Sequence, residues 1–75
     1  MVTMFRGSNW KIAVYGRDHG KPHFHIEGAD FRCSVSIAHF ERIVGSAPAL
    51  VMREALAWAR LNQAALMQTW QELNG

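Results

Sequence analysis

Three of the four histidines in this chain of 75 residues lie in one short segment, which reads Asp18-His19-Gly20-Lys21-Pro22-His23-Phe24-His25. His23 and His25 are two positions apart, so in a β-strand they would project from the same face with their Cα atoms about 6.6 Å apart. An imidazole titrates close to neutral pH, and in its neutral form it binds divalent transition metals. The pair can therefore support either metal binding or proton transfer by a general base and a general acid.

The metal-binding interpretation combines four candidate ligands from this segment, which are Asp18, His19, His23 and His25. Two imidazoles on one strand can chelate zinc, iron or nickel, and the loop before the strand can complete the set. The implied cofactor is Zn²⁺ or another divalent transition metal. The neighbouring cations Arg17, Lys21 and Arg32 would repel a dication, which counts against this interpretation.

The second interpretation is a basic sheet face that binds RNA and can also cleave it. The candidate phosphate-binding residues are Lys11, Tyr15, Arg17, Lys21 and Arg32. RNA carries its own 2′-hydroxyl nucleophile, so His23 and His25 would suffice as the catalytic pair, with Arg32 on the phosphate. His19 would assist from the loop. Such a site needs no cofactor.

The third interpretation is structural, with surface histidines on a solvated sheet face beside a turn shaped by Gly20 and Pro22. No spacing in the sequence decides among the three, so all of them stay open. Cys33 alternates with apolar positions and is predicted to lie in the core, and His39 is predicted to be a surface or capping residue of the short helical segment. A single cysteine forms neither an internal disulfide nor a multi-cysteine zinc site.

Alternation of apolar and polar residues predicts three strands, over residues 10–15, 23–27 and 31–37. A two-residue turn centred on Gly28-Ala29 would pair His25 with Arg32. The apolar positions of all three strands then share one face, and the chemistry lies on the other. The residues expected on that second face are Lys11, Ala13, Tyr15, His23, His25, Glu27, Arg32, Ser34 and Ser36.

The remainder of the chain predicts helix. A short helical turn is expected over residues 38–44, ended by Gly45, and Ser46 is expected to cap one long helix over about residues 47–73. We therefore expect an α+β fold in which a three-stranded antiparallel β-meander packs against a long C-terminal α-helix. Unless the short helix and the N-terminal segment cover it, the apolar surplus of the long helix predicts a partner chain, either a second copy or a cognate small protein.

The composition fits a single domain over residues 1–75. Hydrophobic residues make up 49% and charged residues 19%, which excludes a disordered chain. No apolar run approaches the roughly 20 residues of a membrane span, and no secretory signal is visible, so a cytoplasmic protein is expected. The net charge of +2 resides in the half of the chain that holds all four histidines, which favours an anionic partner there. A core of this size seldom supplies more than about 3–5 kcal/mol without a metal or a partner.

The segment from Asp18 to Ile26 resembles a family of small bacterial proteins of unknown function, built around the signature acidic-His-x-x-Pro-His-x-His. Phe5-Arg6, the aromatic strand after it and Trp70 near the end of the last helix extend the resemblance over nearly the whole chain. The chain departs from the family pattern at Lys21-Pro22, where two prolines are common, and in its Ala-rich helix. The resemblance implies a component of a toxin–antitoxin-type gene pair with a small protein partner, whose basic sheet face would suit an RNA target.

Overall fold

The computed structural model describes all residues from 1 to 75 and contains one antiparallel sheet followed by two helices. The five strands are β1 (Val2–Arg6), β2 (Trp10–Val14), β3 (His23–Gly28), β4 (Arg32–Ser36) and β5 (Arg42–Ser46), and the helices are α1 (Ala49–Leu61) and α2 (Gln63–Asn74). The strands lie side by side in chain order. The fold is α+β, but the predicted three-stranded meander under one long helix is wrong, because the sheet has two further strands and the helix is divided.

The first additional strand is β1, which pairs with β2 from Val2 opposite Val14 to Arg6 opposite Lys11. The register shifts between Thr3 and Phe5, so the strand contains an irregularity. Such a shift breaks the alternation of side chains between the two faces. The sequence of this segment therefore lacks the pattern by which a strand is recognised.

The second additional strand is β5, which replaces the short helix predicted over residues 38–44 and pairs with β4. Gly45 ends no helix, since it has a φ of 79° within the strand and lies so close to the Arg32 carbonyl that a Cβ would collide with it. Only glycine suits that backbone position. Ser46 belongs to β5 and caps no helix, and Pro48 precedes α1 without any side-chain cap.

The long helix predicted over residues 47–73 is divided at Asn62, whose φ of −129° and ψ of 26° lie outside the helical region. The Asn62 side-chain amide donates a hydrogen bond to the Trp58 carbonyl at 2.8 Å, which ends α1. The buried helix positions nevertheless keep helical spacing across the break, and they are Ala55, Ala59, Leu66 and Trp70. This continuity explains why the sequence predicts one helix.

The β3–β4 turn is centred on Ala29-Asp30, one position later than predicted, with the Gly28 N–H donating to the Phe31 carbonyl at 3.0 Å. The register therefore pairs His25 with Ser34, two positions beyond its predicted partner. The Phe31 ring packs against Gly28, where a Cβ would collide with it. Because the side-chain period of a strand is two, a shift of two residues leaves every side chain on its predicted face.

The core lies between one face of the sheet and the two helices, as the alternation predicts for β2, β3 and β4. The core side chains from these strands are Trp10, Ile12, Val14, Phe24, Ile26, Cys33 and Val35. Cys33 is a buried free cysteine, and burial raises the pKa of its thiol. Ala13, on the opposite face, is fully buried although alternation predicts that it points outward. Neither helix is long and apolar enough to cross a membrane.

Candidate metal centre

The two histidines of β3 project from the face opposite the core, on the same side as Ser34 of the neighbouring strand. Phe24 and Ile26, which alternate with them, are fully buried in the core. His23 and His25 expose only 9% and 7% of their surface. The structural interpretation, which places these rings on a solvated face, does not account for that burial.

The loop between β2 and β3 brings Asp18 to the histidines, and α2 holds the loop in place. The Asp18 N–H donates to Oδ1 of Asn74 at 2.9 Å, and the same side-chain amide donates to the Tyr15 carbonyl at 3.1 Å. Arg17, directly before Asp18, has a φ of 57°. Asn74, near the end of α2, therefore holds the segment from Tyr15 to Asp18 at both of its ends.

Asp18, His23 and His25 converge on one point. Nε2 of His23 lies 3.0 Å from Oδ2 of Asp18, and Nε2 of His25 lies 3.4 Å from the same oxygen. One potential ligand atom from each residue lies within 4.8 Å of the other two. The sequence predicted this trio among its metal candidates, but the fourth candidate, His19, is exposed and is not part of the cluster.

The second nitrogen of each imidazole is held by a neighbour. Nδ1 of His23 lies 2.9 Å from the Lys21 carbonyl oxygen, which can only accept, so Nδ1 carries a proton. In neutral His23 the lone pair of Nε2 therefore faces the Asp18 carboxylate. Nδ1 of His25 lies 3.3 Å from the Ser34 hydroxyl, which can donate or accept. A proton or a metal ion between Nε2 of His23 and Oδ2 of Asp18 would offset the repulsion between these two electron-rich atoms.

Burial lowers the pKa of His25, and the positive charge of Arg32 adds to the effect, whereas the hydrogen bond to Asp18 opposes it. Burial disfavours the charged imidazolium because a charge loses its hydration in the protein interior. The neutral imidazole is thereby favoured at neutral pH. That is also the form which binds a metal ion.

A network beside His25 links Tyr15, Glu27 and Arg32. The Tyr15 hydroxyl lies 2.8 Å from both Glu27 carboxylate oxygens, and Arg32 forms an ion pair with Glu27, with Nε 3.0 Å from Oε2. The rings of Tyr15 and His25 pack edge to face, with their centroids 4.8 Å apart. Burial and the Glu27 hydrogen bond raise the pKa of Tyr15. The phenol thus stays protonated and holds the position of the His25 ring.

A cavity of about 450 Å³ opens beside the cluster, within the range of small-ligand sites. Its wall includes His19 and Lys21 from the loop, Ser34 from β4, and Ile43 and Val44 from β5. A metal ion held by Asp18, His23 and His25 would therefore have an approach from outside. The site resembles an accessible centre more than a closed structural one.

The residues predicted to bind phosphate do not form one group, although Lys11 and Arg32 line the same cavity at the other end of the sheet. Arg17 and Lys21 are exposed on the loop, Tyr15 and Arg32 are engaged with Glu27, and Lys11 lies half-buried on β2. His39 is exposed, as expected.

Alternation placed Ser34 and Glu27 on the histidine face but gave neither a role beside His25. Asn74 was missed by sequence reasoning. No local pattern marks Asn74, because its partners lie 56 and 59 positions away.

A family model described as Domain of unknown function (DUF4160) matches residues 9–71. The match covers most of the chain, including the segment from Asp18 to His25, and leaves β1 outside. This supports the predicted membership of a small family of unknown function, whereas the toxin–antitoxin gene context remains a prediction. Neither a search of curated proteins nor a search of solved structures found a match.

Proposed function

We propose that this chain, which belongs to the family Domain of unknown function (DUF4160), binds a divalent transition-metal ion through Asp18, His23 and His25. One observation carries the proposal. Two imidazole nitrogens approach a single carboxylate oxygen at 3.0 and 3.4 Å, and all three candidate ligand atoms lie within 4.8 Å of one another.

The surroundings of the cluster suit a metal ligand set. Metal-binding histidines typically donate their other ring N–H to a carbonyl or carboxylate, which fixes the tautomer and aims the lone pair. The Lys21 carbonyl has this role for His23, and the Ser34 hydroxyl is placed to have it for His25. The repulsion expected from nearby cations is reduced, because the guanidinium of Arg32 is paired with Glu27.

The donor set narrows the choice of metal. Two imidazoles and one carboxylate, without a thiolate, suit Zn²⁺, Fe²⁺, Co²⁺ or Ni²⁺ better than a soft ion such as Cu⁺. Three protein ligands leave at least one coordination position for water or a substrate. The cavity of about 450 Å³ gives that position access to solvent.

Isothermal titration of tag-free, chelator-treated protein with Zn²⁺ tests the proposal. We expect one saturable equivalent, with proton release if Zn²⁺ displaces a shared proton, and selective NMR shifts of the His23 and His25 rings. Asp18→Asn and His23→Ala should each weaken binding by more than about 100-fold, beyond the range for outer-shell partners. His39→Ala, at an exposed histidine outside the cluster, is the matched control. Binding that survives unchanged in His23→Ala would refute the proposal, since Zn²⁺ would then bind at another site.

RNA binding and cleavage, as part of a toxin–antitoxin-type pair with a small protein partner, is the second candidate function. The observation in its favour is a pair of adjacent imidazoles, His23 and His25, whose ring centroids are 5.1 Å apart on the face that also carries Lys11. Incubation of end-labelled RNA in excess chelator tests it. We expect cleavage that is lost in His25→Ala, and full cleavage by the His23/His25 double alanine variant would exclude it.

A further inference from the structure

A second cavity lies at the other end of the histidine face, between the turn that joins β1 to β2 and the turn that joins β3 to β4. Its volume is about 580 Å³, which is within the range of small-ligand sites. None of Asp18, His23 and His25 lines it. The proposed metal centre does not use this cavity, whereas the RNA-binding candidate would share Lys11 and Arg32 with it.

The cavity is lined by a row of charged side chains that crosses four strands. Arg6 is opposite Lys11, Lys11 is opposite Glu27, and Glu27 is opposite Arg32. Neighbouring strands are about 4.8 Å apart, so the row concentrates three cations within roughly 14 Å. The single carboxylate is already engaged by Tyr15 and by Arg32.

The cations of this row have N–H groups that are free to donate hydrogen bonds to a ligand. Arg6 and Lys11 take part in no ion pair in the structure. Arg32 pairs with Glu27 through Nε, and its guanidinium lies over the Tyr15 ring, 5.5 Å from the centroid, so the terminal nitrogens stay available. A guanidinium held in this way is well arranged for bidentate contact with a phosphate.

Two aromatic side chains from the core side of the sheet also line the cavity. Phe31 is half-buried, with its ring packed against Gly28, whereas Trp10 is buried and exposes only 6% of its surface. An aromatic ring beside a group of cations is the combination that binds a nucleotide, since the base stacks while the phosphate pairs with the cations. The geometry points to a binding site for a phosphate monoester that carries an aromatic group, such as a nucleoside monophosphate.

Titration of chelator-treated protein with adenosine monophosphate, followed by NMR, tests this assignment. We expect saturable binding that shifts the resonances of Arg6, Lys11 and Phe31 and weakens as salt is added. Arg6→Gln and Lys11→Gln should each weaken binding about tenfold or more, the size of one charge-assisted hydrogen bond. Arg53→Gln, which removes the same charge from the exposed side of α1, should change it little. Equal losses in all three variants would overturn the assignment, because binding would then follow net charge alone.

Two further probes separate the sources of phosphate. Inorganic phosphate should bind more weakly than adenosine monophosphate, and equal affinity would overturn the role of Phe31. A short single-stranded RNA without a terminal phosphate should compete poorly. If that RNA binds through Arg6 and Lys11 while the monophosphate does not, the monoester assignment is overturned in favour of a phosphodiester chain. His23→Ala should leave all of these affinities unchanged, which keeps this site distinguishable from the metal centre.

Discussion

Asp18 and Asn74 are 56 positions apart, yet the backbone N–H of the first donates a hydrogen bond to the side-chain oxygen of the second at 2.9 Å. The same asparagine also holds the Tyr15 carbonyl. The carboxylate of the candidate metal centre is therefore positioned by a residue that does not touch the histidines. This relationship makes the site sensitive to changes at the end of α2.

Replacing Asn74 with alanine should weaken Zn²⁺ binding by roughly tenfold, the lower end of the range for an outer-shell partner. The loop would lose two hydrogen bonds, each worth about 1 kcal/mol, so the free energy of unfolding should fall as well. Calorimetric titration and urea unfolding measure the two effects. Gln71→Ala, at an exposed position of the same helix, is the control, and an unchanged affinity in Asn74→Ala would show that Asp18 needs no such support.

The stability of the metal-free protein should depend on pH through His25. Burial holds the pKa of this residue in the folded state below its ordinary value of 6.5. Between these two pKa values the unfolded chain binds more protons, so the free energy of unfolding falls as the pH drops below about 6.5. The contribution of His25 is fully present above that value. Urea unfolding in chelator from about pH 5 to about pH 8 measures the slope, which should be reduced in His25→Gln and retained in His39→Gln.

Gly45→Ala should destabilise the fold more than Gly20→Ala. Both glycines have a positive φ, of 79° and 86°, so alanine is strained at each by about 1–2 kcal/mol. Only at Gly45 would the added Cβ also collide with the Arg32 carbonyl, whereas the space around Gly20 is open. We expect a loss of about 3 kcal/mol or more at Gly45 and about 1 kcal/mol at Gly20 in thermal unfolding. Similar losses at the two positions would contradict the close approach of β5 to β4.

Leu66→Ala should cost about 2–5 kcal/mol, because Leu66 is fully buried and the change leaves a cavity in the core. Leu61 lies on the other side of the helix break and is 86% exposed. Leu61→Ala should therefore alter the free energy of unfolding by no more than about 0.5 kcal/mol. Chemical denaturation of the two variants measures both losses, and equal losses would contradict the burial of Leu66 and the exposure of Leu61.

Alternation along β3 and β4 was sufficient to predict which side chains share the histidine face, and it remained correct although the turn is displaced by one position. The strands at the two edges were not predictable in this way. β1 and β5 each contain a register shift, and Gly45 is equally typical of a helix end. The break at Asn62 was hidden because apolar residues keep their helical spacing on both sides of it.

The candidate metal centre was partly predictable. The spacing of His23 and His25 placed both imidazoles on one face, and Asp18 was close enough in sequence to be a candidate. Nothing local distinguished Asp18 from His19, because the choice depends on which loop residue Asn74 fastens. The burial of the two rings was equally inaccessible, since it arises from contacts such as that of His23 with Trp70 of α2, whose ring centroids are 5.0 Å apart.

The tie between the Asp18 loop and α2 also determines when this site can assemble during protein synthesis. Each strand pairs only with its neighbours along the chain, and pairings of short sequence separation form quickly. The loop is fastened only after residue 74 has left the ribosome. A nascent chain that stalls before α2 would thus expose two histidines without their fastened carboxylate.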